Sequence, residues 1–242
     1  MAARLIWRRY GKRCIAELIG TYVLVVVGPS SIVLVSLLSL TSTPVALLLV
    51  AVTFGGTVGA IIILLGEHSG AVINPALTLA AVSARLLKAN LAIPYIIFQT
   101  AGGILAGLTL RLVFTPLGDT TSLGSTKLAA SIDPTMGIAL ETLGTFVLAM
   151  SALGATAWVK RARIQALTVG GTLAILILFI GPLTGAGFNP ARSLGPALAS
   201  GYFSNLYVYV AGPIAGALPA GLLFRFAPRE ILARVGKAWS ES

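Results

Sequence analysis

Six stretches of the chain are nearly unbroken apolar runs, at roughly 13–38, 45–65, 91–113, 135–158, 165–182 and 203–226. Each is near the length that crosses the roughly 30 Å hydrocarbon core of a bilayer. Their frequent Gly, Ala, Ser and Thr predict helices, because barrel strands would alternate apolar and polar residues at a period of two. After the second and the fifth runs the pattern changes. Glu67 to Ala71 and Gly181 to Gly187 are glycine-rich stretches with a more polar character, read as loops. Asn-Pro-Ala follows each one, as Asn74-Pro75-Ala76 and Asn189-Pro190-Ala191. Asn is a preferred helix N-cap, and Pro suits the first helical position, where its missing N–H is not needed. The tripeptides therefore predict short helices at 74–84 and 189–199. About ten helical residues reach about 15 Å, half of the hydrocarbon core, so two such pieces entering from opposite faces meet near the midplane.

The pattern is also written twice. Glu17, Gly20, Thr21, Tyr22, Val23 and Leu24 recur in register as Glu141, Gly144, Thr145, Phe146, Val147 and Leu148. Gly102, Ala106, Gly107 and Leu108 recur as Gly216, Ala220, Gly221 and Leu222. The chain divides into a first repeat (1–113), an outer linker (114–134), a second repeat (135–226) and a basic tail (227–242). Three spans per repeat is an odd number, so the second repeat enters the membrane inverted. The prediction is an all-α membrane protein: six transmembrane helices and two re-entrant half-helices in an inverted repeat. Such repeats with broken helices carry their functional site at the midplane. Small residues at helical spacing, among them Gly55 and Gly59, Gly103 and Gly107, Gly212 and Gly216, predict close packing of the spans.

Composition agrees with this pattern: of 242 residues 57% are hydrophobic and only 10% charged, which excludes a soluble globular domain. The net charge of +10 would suit nucleic acid, but its distribution does not. Of the 17 Lys and Arg, all but Arg111, Lys127 and Arg192 lie before the first span, after the first half-helix, between the fourth and fifth spans, or at the end of the chain from Arg225 onward. An even number of crossings puts those four segments on one side. By the positive-inside rule that side, with both termini, is cytoplasmic. A basic start before an apolar run also imitates a signal peptide, but Glu17 interrupts the run early. The one cysteine, Cys14, reads as a small apolar filler near the inner surface.

Two helix N-termini aimed at one point form an electropositive centre without an ionised side chain, hostile to cations and protons. Each Asn, with its carbonyl capping its own helix, leaves an NH2 group to donate to a passing oxygen atom. Gly70, Ala71 and Val72, and Gly185, Ala186 and Gly187, have few side chains to block a path, and their backbone carbonyls supply acceptors along it. These features describe a passive route for small neutral molecules bearing a lone pair. No Ser-His-Asp set, metal-ligand group or phosphate-cradling motif is present, so no enzyme activity, metal or cofactor is expected.

The doubled Asn-Pro-Ala, Arg192 after the second copy, and Glu17 and Glu141 in the repeated spans together resemble the aquaporin, or major intrinsic protein, family over nearly the whole chain. The resemblance implies a passive water channel that excludes protons and ions and assembles as a homotetramer in the lipid bilayer of the plasma membrane. It places the outer selectivity constriction on Phe54, Ile177, Ala186 and Arg192. Strict water channels of the family usually have a histidine at the position of Ile177. The filter here is wider and more apolar, closer to some archaeal aquaporins and plant nodulin-like channels. Glycerol facilitators usually follow the second motif with an Asp and then a basic residue, where this chain has Ser193 and Ala197. Water is therefore the expected main substrate, with glycerol or another small neutral solute as the alternative. The resemblance also makes Glu17 and Glu141 braces for the re-entrant loops. Near the first motif the family commonly has two histidines where this chain has Val72 and Glu67. The neighbouring titratable pair Glu67 and His68 is a candidate for gating at the inner vestibule, against the plainer reading of solvated loop residues. An ion-coupled secondary transporter is the alternative from another class, and it would need a coupling-ion site among the spans.

Overall fold

The computed structural model describes residues 2–41, 43–115, 119–159 and 161–227. Among these residues it holds eight α-helices: α1 (Ala2–Leu37), α2 (Pro44–Ser69), α3 (Pro75–Ser83), α4 (Ala89–Phe114), α5 (Pro134–Trp158), α6 (Ala162–Thr184), α7 (Pro190–Ser200) and α8 (Val208–Phe224). A short 3₁₀ segment, Asp119–Gly124, lies between α4 and α5. Five helices, α1, α2, α4, α5 and α6, are long and apolar enough to span a membrane. The sixth, α8, is apolar and has 17 residues, about 25 Å.

Several boundaries differ from the sequence expectation, each for a local reason. α1 begins well before residue 13, because no proline separates Ala2 from the apolar run and Gly11 alone does not interrupt the helix. α8 starts at Val208 rather than 203, because Asn205 takes a left-handed conformation (φ 54°) within a run of turns. α2 does not end before Glu67. It runs through Glu67 and His68 to Ser69 and stops where Gly70 adopts φ 87° and returns its N–H to the Gly66 carbonyl. The Glu67-to-Ala71 stretch is therefore not a loop from its start, and both titratable residues sit in the last turn of a helix. The short helices fall one residue inside the 74–84 and 189–199 expectations at their starts, because Asn74 and Asn189 are the caps. The basic tail lies outside the described residues from 228 onward.

Helix starts follow the capping chemistry. Asn74 Oδ1 accepts from the N–H groups of Ala76 and Leu77, and Asn189 Oδ1 from those of Ala191 and Arg192. Asp133 caps α5 in the same way, and the N–H groups of Met136 and Thr135 hold its exposed carboxyl below the usual range.

The packing obeys the inverted repeat. α1 packs on α4 as α5 packs on α8, and α2 meets α6 across the centre. Each half-helix crosses over to the other half, α3 lying against α8 and α7 against α4. Glycine makes these approaches possible. A β-carbon on Gly55 would collide with the Gly170 carbonyl and one on Gly170 with the Gly55 carbonyl; one on Gly107 would strike the Gly195 carbonyl, and one on Gly195 the Gly103 carbonyl. In lipid, where apolar side chains gain little by meeting each other, such backbone contact is a main source of helix association.

Candidate functional site

The two half-helices bring their N-termini together. Asn74 Nδ2 donates to the Phe188 carbonyl at 2.8 Å, and Asn189 Nδ2 donates to the Ile73 carbonyl at 2.9 Å. Each asparagine therefore caps its own helix with its oxygen and ties the opposite loop with its nitrogen. The sequence alone leaves both amide hydrogens free. One is in fact committed to the cross-tie, and the second remains for another acceptor. The paired termini contribute roughly half a positive charge each at this point.

The loops before each asparagine are held from behind by a buried carboxylate. Glu17 accepts from Ser69 Oγ (2.6 Å), Val72 N (3.0 Å) and Ile73 N (2.6 Å), and also from Gln99 Nε2 (2.7 Å). Glu141 accepts from Thr184 Oγ1 (2.6 Å), Gly187 N (2.9 Å) and Phe188 N (2.7 Å). The peptide unit is planar and trans, so an N–H aimed at the carboxylate sends the preceding carbonyl the other way. The carbonyls of Ala71 and Val72, and of Ala186 and Gly187, thus face away from the two glutamates. Ala71 and Ala186 donate their N–H to Ser69 Oγ and Thr184 Oγ1, which turns the Gly70 and Gly185 carbonyls likewise.

This arrangement requires unusual backbone. Ala71 and Ala186 both have φ 48°, Ile73 has φ 45° and Phe188 φ 49°. A left-handed conformation at a β-branched or bulky residue costs about 1–3 kcal/mol. Charge-assisted hydrogen bonds to the carboxylates, stronger than neutral ones, offset that strain. Side-chain room comes from the first span of each repeat, where a β-carbon on Gly20 would meet Ile73 and one on Gly144 would meet Phe188.

A continuous cavity of about 500 Å³ runs beside these loops. It is lined by Gly70, Ala71, Val72, Asn74, Ala186, Gly187 and Asn189 on the polar side. Leu24, Val58, Ile62, Leu148, Val169 and Leu173 form much of the opposite wall. At one end lie Phe54 and Arg192; at the other lie Gly66, Glu67, Thr156 and Gln165. Arg192 is buried, donates through Nη1 to the Gly124 carbonyl at 3.0 Å, and stands 4.9 Å from the centre of the Phe54 ring. Its Nε has no hydrogen-bond partner among the described residues.

Of the four expected constriction residues, Phe54, Ala186 and Arg192 border the cavity. Ile177 does not: it is buried in the apolar cluster that contains Phe54 and Ala186. Gly185, the left-handed C-cap of α6, is likewise absent from the lining, although its counterpart Gly70, the left-handed C-cap of α2, is part of it. Pro75, Ala76, Pro190 and Ala191 build the helix starts without reaching the cavity. Glu67 is on the rim, and His68 is exposed outside the lining.

Sequence reasoning missed several members of the site. Ser69 and Thr184 link carboxylate to loop, and Tyr95 and Tyr209 donate to the carbonyls of Ser69 and Thr184 at 2.8 and 2.7 Å. All four occupy matching places in the two repeats, so aligning the halves beyond the quoted motifs would have exposed them. Gly124, in the linker, carried no such signal.

Half-helices meeting tip to tip, with inward-facing carbonyls on one side and an apolar wall on the other, define a membrane channel with two re-entrant segments. The chain belongs to the major intrinsic protein family, whose sequence profile matches residues 7–224. It is 36% identical over 223 residues to Aquaporin NIP3-1 of Arabidopsis thaliana, an alignment covering 90% of this chain and 68% of that one. It is 33% identical over 249 residues to Aquaporin-4 of Mus musculus, covering 100% and 76%. Its fold is similar to the X-ray structure of the aquaglyceroporin from Plasmodium falciparum, with a TM-score of 0.74 at 19% identity over 93% of this chain and 99% of that one.

Proposed function

We propose that this channel conducts water passively as its main substrate and admits small neutral solutes while excluding protons and ions. The observation that carries the proposal is the cross-tie at the cavity: Asn74 and Asn189 each keep one N–H for a passing oxygen, at the point where two helix dipoles converge. A water oxygen accepting from both asparagines points its hydrogens away from the centre, toward the loop carbonyls on either side. A cation meets the positive ends of both helices and then Arg192.

The apolar wall supports a second reading, a facilitator for glycerol or a similar solute, since a carbon backbone can lie against Leu, Val and Ile while its hydroxyls meet the carbonyls. Phe54, Ala186 and Arg192, with Ile177 packed behind them, form the proposed selectivity filter. Glu17 and Glu141 are the proposed braces of the loops. An ion-coupled transporter finds less support: both buried carboxylates are occupied by several donors, and no metal-binding group of His, Cys, Asp or Glu is present among the described residues.

The proposal extends to the boundaries read from the sequence, 1–113 and 135–226 around the linker 114–134. It also extends to a homotetramer in the plasma membrane with both termini and the 227–242 tail in the cytoplasm. Light scattering from proteoliposomes decides the substrate. Fast shrinkage in a sucrose gradient without re-swelling in glycerol is the expected result; equally fast re-swelling establishes the facilitator, and saturable, ion-dependent uptake the transporter.

A further inference from the structure

The two carboxylate networks match everywhere except at one position. In the first half, Gln99 Nε2 donates to Glu17 Oε2 at 2.7 Å and lies 3.0 Å from Thr78 Oγ1, so one amide satisfies both groups. Thr78 also donates to the Asn74 carbonyl at 3.0 Å. In the second half, Tyr209 repeats the contact of Tyr95, and Gly216 packs on the Thr142 carbonyl as Gly102 packs on that of Leu18. These contacts fix the register of α8 on α4. One helical turn beyond the tyrosine, where α4 has Gln99, α8 has the buried Pro213, which has no amide to donate.

Two polar groups are left short as a result. Among the described residues Glu141 Oε2 accepts only from Phe188 N, whereas Glu17 Oε2 accepts from Ile73 N and Gln99. Ser193, in the place of Thr78, is completely buried, and its Oγ has no partner among the described residues. Both oxygens flank the same side of Gly187: a β-carbon there would lie 3.0 Å from Ser193 Oγ and 3.1 Å from Glu141 Oε2. A buried hydroxyl without a partner is unfavourable, and buried waters are found where several such groups converge.

We propose that a single buried water occupies the place of the missing amide, donating to Glu141 Oε2 and sharing a hydrogen bond with Ser193 Oγ. The ligand is a neutral molecule able both to donate and to accept. A metal cation is disfavoured, because Arg192 adjoins Ser193 and the start of α7 is already positive. The site is separate from the conducting path, since neither Ser193 nor Glu141 lines the cavity. One half of the channel thus uses a covalent side chain, and the other a recruited solvent molecule, to complete the same support behind its loop.

A crystal structure at about 2 Å resolution or better tests this in three chains: wild type, Ser193→Ala and Pro213→Gln. The wild-type map is expected to show one peak at about 2.6–3.2 Å from both oxygens. That peak is expected to disappear in Ser193→Ala and to be replaced by the new amide in Pro213→Gln. Absence of the peak in wild type overturns the proposal. So does a Ser193 hydroxyl bonded directly to a protein acceptor, a peak at cation-like distances near 2.4 Å, or a peak unchanged in Ser193→Ala. If Pro213→Gln does not fold, the other two maps decide.

Discussion

Asn74 and Asn189 hold each other's loops: each Nδ2 donates to the carbonyl of the residue just before the other asparagine, at 2.8 and 2.9 Å. The tie makes the centre of the channel one unit rather than two abutting halves. Asn189→Ala removes the cap on two N–H groups and orphans the Ile73 carbonyl, which together cost about 2–4 kcal/mol. The expected outcome is a lower melting temperature in detergent and a several-fold loss of water permeability. A variant with wild-type stability and flux would show that the cross-tie does not organise the path.

The two glutamates are not equivalent supports. Glu17 receives four donors fixed in the protein and Glu141 three, and the water proposed beside Glu141 can turn to accept from an amide, so replacing the carboxylate by an amide turns an NH2 toward more fixed donors at position 17. Glu17→Gln is expected to lose roughly 3 kcal/mol or more, and Glu141→Gln less. Thermal unfolding of the two variants side by side checks the order, and equal losses would contradict it.

The half-helices were legible in the sequence because their start signal is local: an Asn cap and a Pro at the first helical position decide the chain's direction without help from elsewhere. Glu17 and Glu141 were legible because a buried charge stands out in an apolar span. The end of α2 was not, since Glu67 and His68 look like loop residues until Gly70 is seen to supply the left-handed cap. Partners such as Gln99 and Gly124 depend on contacts across the chain, at separations of 82 and 68 residues from Glu17 and Arg192. Only the folded backbone reveals those.

Glycine positions separate packing from propensity. Gly107→Val drives a side chain into the Gly195 backbone and is expected to prevent assembly of a stable channel, seen as loss of a monodisperse peak in size-exclusion chromatography. At Gly56 and Gly171 a β-carbon would have nothing within 4 Å of it. Alanine at either is expected to be neutral or to stabilise by about 0.5–1 kcal/mol, as glycine is the poorer helix former.

Glu67 and His68 end α2 in exposed positions, with Glu67 on the rim of the cavity and His68 off it. Water permeability of the wild type is accordingly expected to stay constant from pH 5 to 8 in proteoliposomes. A sigmoidal change within this range, lost in His68→Ala, would instead establish gating by this pair.

Arg192 carries its charge where desolvation opposes it, held by one hydrogen bond to the linker carbonyl of Gly124 and by the face of Phe54. A packing role alone would be filled more cheaply by an apolar side chain, so the guanidinium is expected to act on what passes. Removing it widens the end of the cavity and deletes the nearest full positive charge, while the two half-helix dipoles remain. Arg192→Val is therefore expected to raise proton or cation leak and leave water flux equal or higher, measured as decay of an imposed pH or potassium gradient in proteoliposomes. An unchanged leak would assign ion exclusion to the half-helix termini alone.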